Sequence, residues 1–299
     1  MNFSKNESIT VMPDASGVEK LRVLKLDKCK NLIMVHKSVG FLKHLTHLSA
    51  SICPKLRNFL QRMFLPSLEF LDLNLCLELE HFPDIVNKMN KPLKIYMKNT
   101  AIEKLPDSIG NLIGLVSIEM PNSKKLKYLP SSLFMLPNVV TLKFGGCYLL
   151  GQSLRICRDD IPSATNGRST LKKLHFDNSG LWDEDLSTIL ISFLELQELI
   201  VKDNYLLSVP VCIKESAYLT NLDVSSCIML RKIPVCTNLR ILDVHHCKML
   251  QHISELPWTI QKVDARNCIR LNRETSDMLW DQVYHLFICL LAWFIISQS

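Results

Sequence analysis

The sequence predicts an α/β solenoid: a horseshoe of about eleven full repeats plus a partial N-terminal one, with a parallel concave sheet and short helices or 3₁₀ turns on the convex side. Three observations predict it. The pattern L-x-x-L-x-L-x-x-C/N/T/S, with other aliphatic residues admitted, occurs eleven times, and its starts lie 24, 23, 24, 23, 24, 32, 25, 23, 20 and 21 residues apart. With 47% of its 299 residues hydrophobic, the chain can bury a large core. Side chains alternate along a strand, so positions four and six of each unit point inward while their neighbours point out. No single unit can bury its own apolar edge, so stacking supplies the core.

In chain order, "MNFSKNESI" fits the pattern from its fourth position, with Met1 and Phe3 inward and Asn6 at position nine. Residues 1–20 therefore read as a partial first repeat, as in a piece of a longer array. Units one to six, residues 21–150, start at Leu21, Leu45, Leu68, Pro92, Leu115 and Val139. Their second halves, as in "EKLPDSIGNLIGL" (103–115), place proline at the exit from the strand side and then an i, i+3, i+4 apolar spacing that suits a short convex helix. The Gly, Ser, Asn and paired Asp residues of "GQSLRICRDDIPSATNGRST" (151–170) mark an inserted surface loop. Units seven to eleven, residues 171–277, start at Leu171, Leu196, Leu219, Leu239 and Ile260. The units of 20 and 21 residues leave no room for a helix, so extended convex segments are expected there. Residues 278–299 form an apolar tail, whose 14-residue run "VYHLFICLLAWFII" is shorter than the roughly 20 residues a bilayer span requires. Period and pattern together are those of a leucine-rich repeat.

The net charge of +6 is spread unevenly, 20 basic and 12 acidic residues in 1–150 against 15 and 17 in 151–299. With 7% aromatic residues and no dense basic stripe, a nucleic-acid partner is not expected. The start has no apolar signal segment, so the 11 cysteines read as reduced thiols of a cytoplasmic or nucleo-cytoplasmic protein. Seven of them, Cys29, Cys53, Cys76, Cys147, Cys227, Cys247 and Cys268, occupy position nine, where a small side chain turns inward and bonds the backbone. Parallel Cβ vectors from one unit to the next are poor geometry for disulfides.

The chemical candidates reduce to one face. "ILDVHHCKML" (241–250) gathers Asp243, His245, His246 and Cys247, but in register the first two point outward, Cys247 inward, and His246 lies at the turn. Such ligands cannot share one tetrahedral metal, so no metal is expected. No phosphate-binding loop, zinc-protease or nucleophile-elbow motif occurs, and neither enzymatic activity nor a cofactor is expected. The outward columns at positions five and seven carry Lys25, Asp72, Tyr96, Lys98, Glu119, Lys143, His175, Lys202, Asp223, Asp243, His245, Asp264 and Arg266. Polar and aromatic side chains on a rigid concave scaffold suit protein binding.

"NTAIEKLPDSIGNLIGL" (99–115), "LDLNLCLELEHFPDI" (71–85), "LDVSSCIMLRKIP" (222–234) and "VDARNCIRL" (263–271) resemble the repeat region of plant intracellular disease-resistance proteins that also carry TIR and nucleotide-binding domains. The resemblance covers about residues 1–277. It implies a recognition module of an immune receptor, in a truncated form without those two domains, so neither nucleotide binding nor NAD cleavage passes to any residue here. Implied partners are a pathogen effector, a guarded host protein, or the receptor's own nucleotide-binding domain. The alternatives are a non-functional repeat fragment and a leucine-rich-repeat adaptor such as a ubiquitin-ligase substrate receptor.

Overall fold

The computed structural model of the chain describes residues 1–151, 170–279 and 281. Its main sheet has eleven strands, all parallel and in chain order. They are β1 (Val23–Lys25), β2 (His47–Ser49), β3 (Phe70–Asp72), β4 (Leu93–Tyr96), β5 (Leu115–Glu119) and β6 (Thr141–Lys143). Then follow β7 (Lys173–His175), β8 (Glu198–Ile200), β9 (Asn221–Asp223), β10 (Ile241–Asp243) and β11 (Lys262–Asp264). Each strand coincides with one repeat of the sequence pattern, so the period is the step from strand to strand. Register is set by burial: Leu24, Leu48 and Leu71 at position four are aligned across β1 to β3 and are fully buried. A slip of one residue would turn every such leucine to solvent.

The partial unit extends the sheet. Asn2 bridges Lys25, the terminal amino group donates to Val23 O at 2.7 Å, and Phe3 N–H donates to Lys25 O at 2.8 Å. Met1, expected as an inward residue, is half exposed, because among the described residues no unit stacks on its outer side. At the other end Val263 and Ala265, inward residues of the last unit, are also only partly buried.

Convex structure follows unit length only in part: units two and three, 23 and 24 residues long, run extended, Arg62–Met63 pairing in parallel with Asp84–Ile85. Short 3₁₀ turns at Lys37–Phe41, Asp107–Asn111 and Val211–Glu215 and one helical turn, α1 (Ser131–Phe134), start just after proline or histidine. Among the described residues unit seven has the longest of these, α2 (Asp183–Ser192). The short units run extended instead, Lys232–Ile233 pairing in parallel with His252–Ile253. The inserted loop lies outside the described residues except for 151 and 170, yet β6 and β7 pair directly across it. Phe144 and Phe176, at position six on either side, stack at 5.7 Å inside the core. The apolar run 283–296 also lies outside the described residues. Among the described residues no helix is long and apolar enough to cross a membrane.

The turn that closes each strand is the part of the repeat the pattern does not display. Position eight takes the left-handed conformation in every unit: φ is 62° at Lys28, 59° at Ile52, 60° at Leu75 and 60° at His246, and glycine serves once, at Gly146. That conformation costs a non-glycine residue roughly 1–2 kcal/mol. It reverses the chain so that position nine enters the core. There Cys53 Sγ–H donates to Leu26 O at 3.1 Å, Cys76 to Ala50 O at 3.1 Å and Cys247 to Val224 O at 3.2 Å, always the position-six carbonyl of the unit before. Asn204 does more: its amide NH₂ donates to Phe176 O and Val201 O, and its oxygen accepts from the N–H groups of Ser179 and Leu181. The described cysteines are free thiols.

Candidate functional site

The concave face is built by positions three, five and seven. Curvature and close strand spacing leave many of these side chains half-buried rather than free in solvent, and Ser49 and Ser225 are buried outright. Position three escaped the sequence reading, although its alternation with position four places it on the same face.

Near the N-terminal end that missed column supplies two rings of an aromatic row, His47 and Phe70, and position five supplies the third, Tyr96. Phe70 stacks on His47 at 5.9 Å and meets Tyr96 at 5.5 Å, so three neighbouring strands present three rings to the concavity. His47 is exposed while Phe70 and Tyr96 are half-buried. Lys25 and Lys98 project beside the row. Asp72 is the cross-strand partner of Tyr96; burial pushes its carboxyl up, despite a hydrogen bond at 2.9 Å from the Asn74 N–H, and the charge of Asp27 adds to the rise.

Along the middle of the sheet the charges pair across strands. Lys143 Nζ lies 3.3 Å from Glu119. Glu198, another position-three residue, receives His175 Nε2 at 2.6 Å and Lys173 Nζ at 3.2 Å. Burial alone would raise the Glu198 carboxyl, but the bonds from His175 and Lys173 hold it below the usual range. Among the described residues Lys202 joins none of these ion pairs.

At the C-terminal end Asp223, Asp243 and Asp264 are in register on adjacent strands. Each accepts the backbone N–H two residues on: Ser225 at 2.9 Å, His245 at 3.1 Å and Arg266 at 3.2 Å. This Asx turn sets up the left-handed residue that follows, so the aspartates shape the strand exit as well as charging the face. His245 Nδ1 lies 2.6 Å from Asp243 Oδ1, and the Arg266 guanidinium grips Asp264 at 2.5 to 3.1 Å. Hydrogen bonding from Arg266 pulls the Asp264 carboxyl down to about 2.

Asp243, His245 and Asp264 each offer an atom within 4.8 Å of the others, a set that includes Asp264 where sequence reasoning had considered His246 and Cys247. Arg266 already neutralises Asp264. His246 is at the turn, exposed, and Cys247 is buried, its thiol pushed well above the ordinary range by burial first and by the neighbouring Cys227 and Cys268 next. The structure thus brings together Asp243, His245, Asp264 and Arg266, and separately Glu119 with Lys143, and leaves Lys25, Lys98 and Lys202 as individual projections. The arrangement offers surface recognition by stacking and paired charge.

Comparison with known proteins bears on the whole array. Residues 64–274 match the family described as Disease resistance protein RPS4B-like, leucine-rich repeats. The chain is 31% identical over 289 residues to Protein SUPPRESSOR OF npr1-1, CONSTITUTIVE 1 of Arabidopsis thaliana, covering 95% of this chain and 17% of that relative. It is 32% identical over 148 residues to TMV resistance protein N of Nicotiana glutinosa, covering 49% of this chain and 13% of that one. Among solved structures, the leucine-rich repeat domain of the type III effector XCV3220 (XopL) superposes with a TM-score of 0.46 at 19% identity, covering 88% of this chain and 74% of that one. The chain thus spans less than a fifth of the length of these two curated relatives. It belongs to the leucine-rich-repeat family of RPS4B-like plant disease resistance proteins.

Proposed function

We propose that this array is the partner-recognition part of a plant immune receptor and binds a protein on its concave face without catalysing a reaction. The occupant is a pathogen effector, a guarded host protein, or a nucleotide-binding domain of the receptor itself, met in the cytoplasm or nucleus. The carrying observation is the row His47, Phe70 and Tyr96, three rings in contact on adjacent strands of the parallel sheet, with the Glu119–Lys143 ion pair on the strands that follow. Aromatic side chains with fixed rotamers provide contact area at low entropic cost and are the commonest hot spots of protein interfaces.

The test is capture from extracts of challenged and unchallenged plant tissue, comparing the wild-type chain with Phe70→Ala/Tyr96→Ala and with Asp243→Asn. Asparagine keeps the acceptor for the His245 N–H, so the turn survives while the charge is lost. Loss of a specific partner at unchanged melting temperature is expected. Identical capture by all three proteins would refute the proposal.

A further inference from the structure

Where the chain leaves the concave sheet for the convex side, a second row of backbone pairing steps from unit to unit. Val11–Met12 pairs with Met34–Val35, Met34 bridges Asn58, and farther along Lys104 bridges Tyr128. The recurrent bond is Arg57 N–H to Ile33 O at 3.1 Å, and again Lys127 N–H to Glu103 O at 2.8 Å. At the level of Asn58 unit three breaks the row, and it pairs with unit two only a few residues farther on, Arg62–Met63 running parallel to Asp84–Ile85. Among the described residues no backbone bond joins 80–82 to Arg57 on one side or to Lys104 on the other. Its sequence "EHFP" explains part of this: Pro83 has no N–H to give, and the Phe82 ring is buried.

A groove of about 1020 Å³ opens at this interruption. Its floor is apolar, with Val35, Phe59 and Phe82 all nearly fully buried. Its rim is cationic: Lys37, Arg57, Arg62 and Lys104 stand against two carboxylates, Asp84 and Asp107. Arg57 is held by Glu78 at 2.5 Å. Among the described residues Lys37, Arg62 and Lys104 have no carboxylate within ion-pair distance. Unpaired cations around an apolar floor, beside an interrupted strand row, specify an occupant in three respects: extended, acidic, and carrying an aliphatic side chain.

We propose that this groove binds an acidic, extended peptide segment of a partner protein, its backbone lying along the interrupted row and its carboxylates against Lys37, Arg62 and Lys104. Strand addition at an open row supplies backbone hydrogen bonds, and the charges select the sequence. The site is on a different face from the aromatic row and does not depend on what the concave face binds.

The experiment is fluorescence anisotropy of the whole chain with a fluorescein-labelled octapeptide, Glu-Asp-Leu-Glu-Leu-Asp-Glu-Glu, beside a lysine-substituted version and a labelled eight-residue dT oligonucleotide. Expected is saturable binding of the acidic peptide alone, weakened by salt, and about tenfold weaker with Arg62→Glu/Lys104→Glu. Lys37→Gln provides a milder second variant, expected to weaken binding severalfold, and melting temperatures confirm that each protein is folded. Phe70→Ala/Tyr96→Ala is expected to bind the peptide as wild type does, which separates this proposal from that for the concave face. Absence of saturable binding, equal binding by the folded charge variants, or preferential binding of the oligonucleotide would each overturn the assignment.

Discussion

Ile52 is the least comfortable residue of the repeat turns. At φ 59° it occupies a left-handed conformation with a β-branched side chain, where four other units use Asn99, Asn122, Asn178 and Asn267. Asparagine tolerates that region because its short polar side chain bonds locally. Ile52→Asn is therefore expected to stabilise the fold by about 1 kcal/mol, seen as a higher urea midpoint at unchanged slope; a lower midpoint would show that the half-exposed isoleucine contributes packing that outweighs its backbone strain. The turn was placed by the pattern, at His246 for one, but its left-handed conformation was invisible, because lysine, leucine, serine, histidine and aspartate all occupy position eight and share only the backbone state. Positions four, six and nine were legible because burial selects for side-chain type. Leu242, Val244 and Cys247 needed only the period to be placed. Asp243 was read as a surface charge, and its second duty, capping the His245 N–H, depends on turn geometry that no spacing reveals.

At the scale of elements, the sheet crosses the 32-residue step without a break in register. Thr170 ties the returning chain to Pro137 O and Val139 O at 3.0 and 2.8 Å, and the stacked pair Phe144 and Phe176 fills the core at that junction. Neighbour contacts carry the cooperativity of a repeat array, so this junction couples its two halves. Phe176→Ala is expected to cost about 3–5 kcal/mol and to divide a single calorimetric transition into two. A single transition shifted to lower temperature would place the coupling elsewhere. The strand at each unit, the 3₁₀ turns that follow proline and the extended segments of the short units were readable from the pattern, unit length and proline position, whereas the extended Arg62–Met63 and Asp84–Ile85 of two longer units were not. The position-three column and the flank groove were not. The first was passed over because outward residues were counted only from position five onward, so that Phe70 and Glu198 went unnoticed. The second exists because pairing fails at 80–82, and a missing hydrogen bond leaves no motif.

For the whole molecule, the buried thiols make stability depend on alkalinity. Burial first, against weaker help from backbone hydrogen bonds, pushes Cys53, Cys147 and Cys227 up to about 12 from an ordinary 9.0. Between those values the unfolded chain loses thiol protons that the folded chain keeps, so the unfolded state binds fewer protons and stability falls as pH rises. Each such thiol contributes a decline of up to about 1.4 kcal/mol per pH unit over that window, and full stability is present below it. Denaturant midpoints should therefore hold steady from neutrality to about pH 8.5 and drop steeply above it. A flat profile to pH 11 would mean that the cysteine column is not buried as a set.

Recognition by the concave face is our proposal for this array. It is tested most directly by placing a photo-crosslinking benzoylphenylalanine at Tyr96 and, as a control, at Tyr218, which is 60% exposed outside the concave columns. Irradiation in plant extract is expected to join one defined protein to the chain from position 96 and not from position 218, with the product diminished by Phe70→Ala. The same product from both positions, or a product only from 218, would contradict the account.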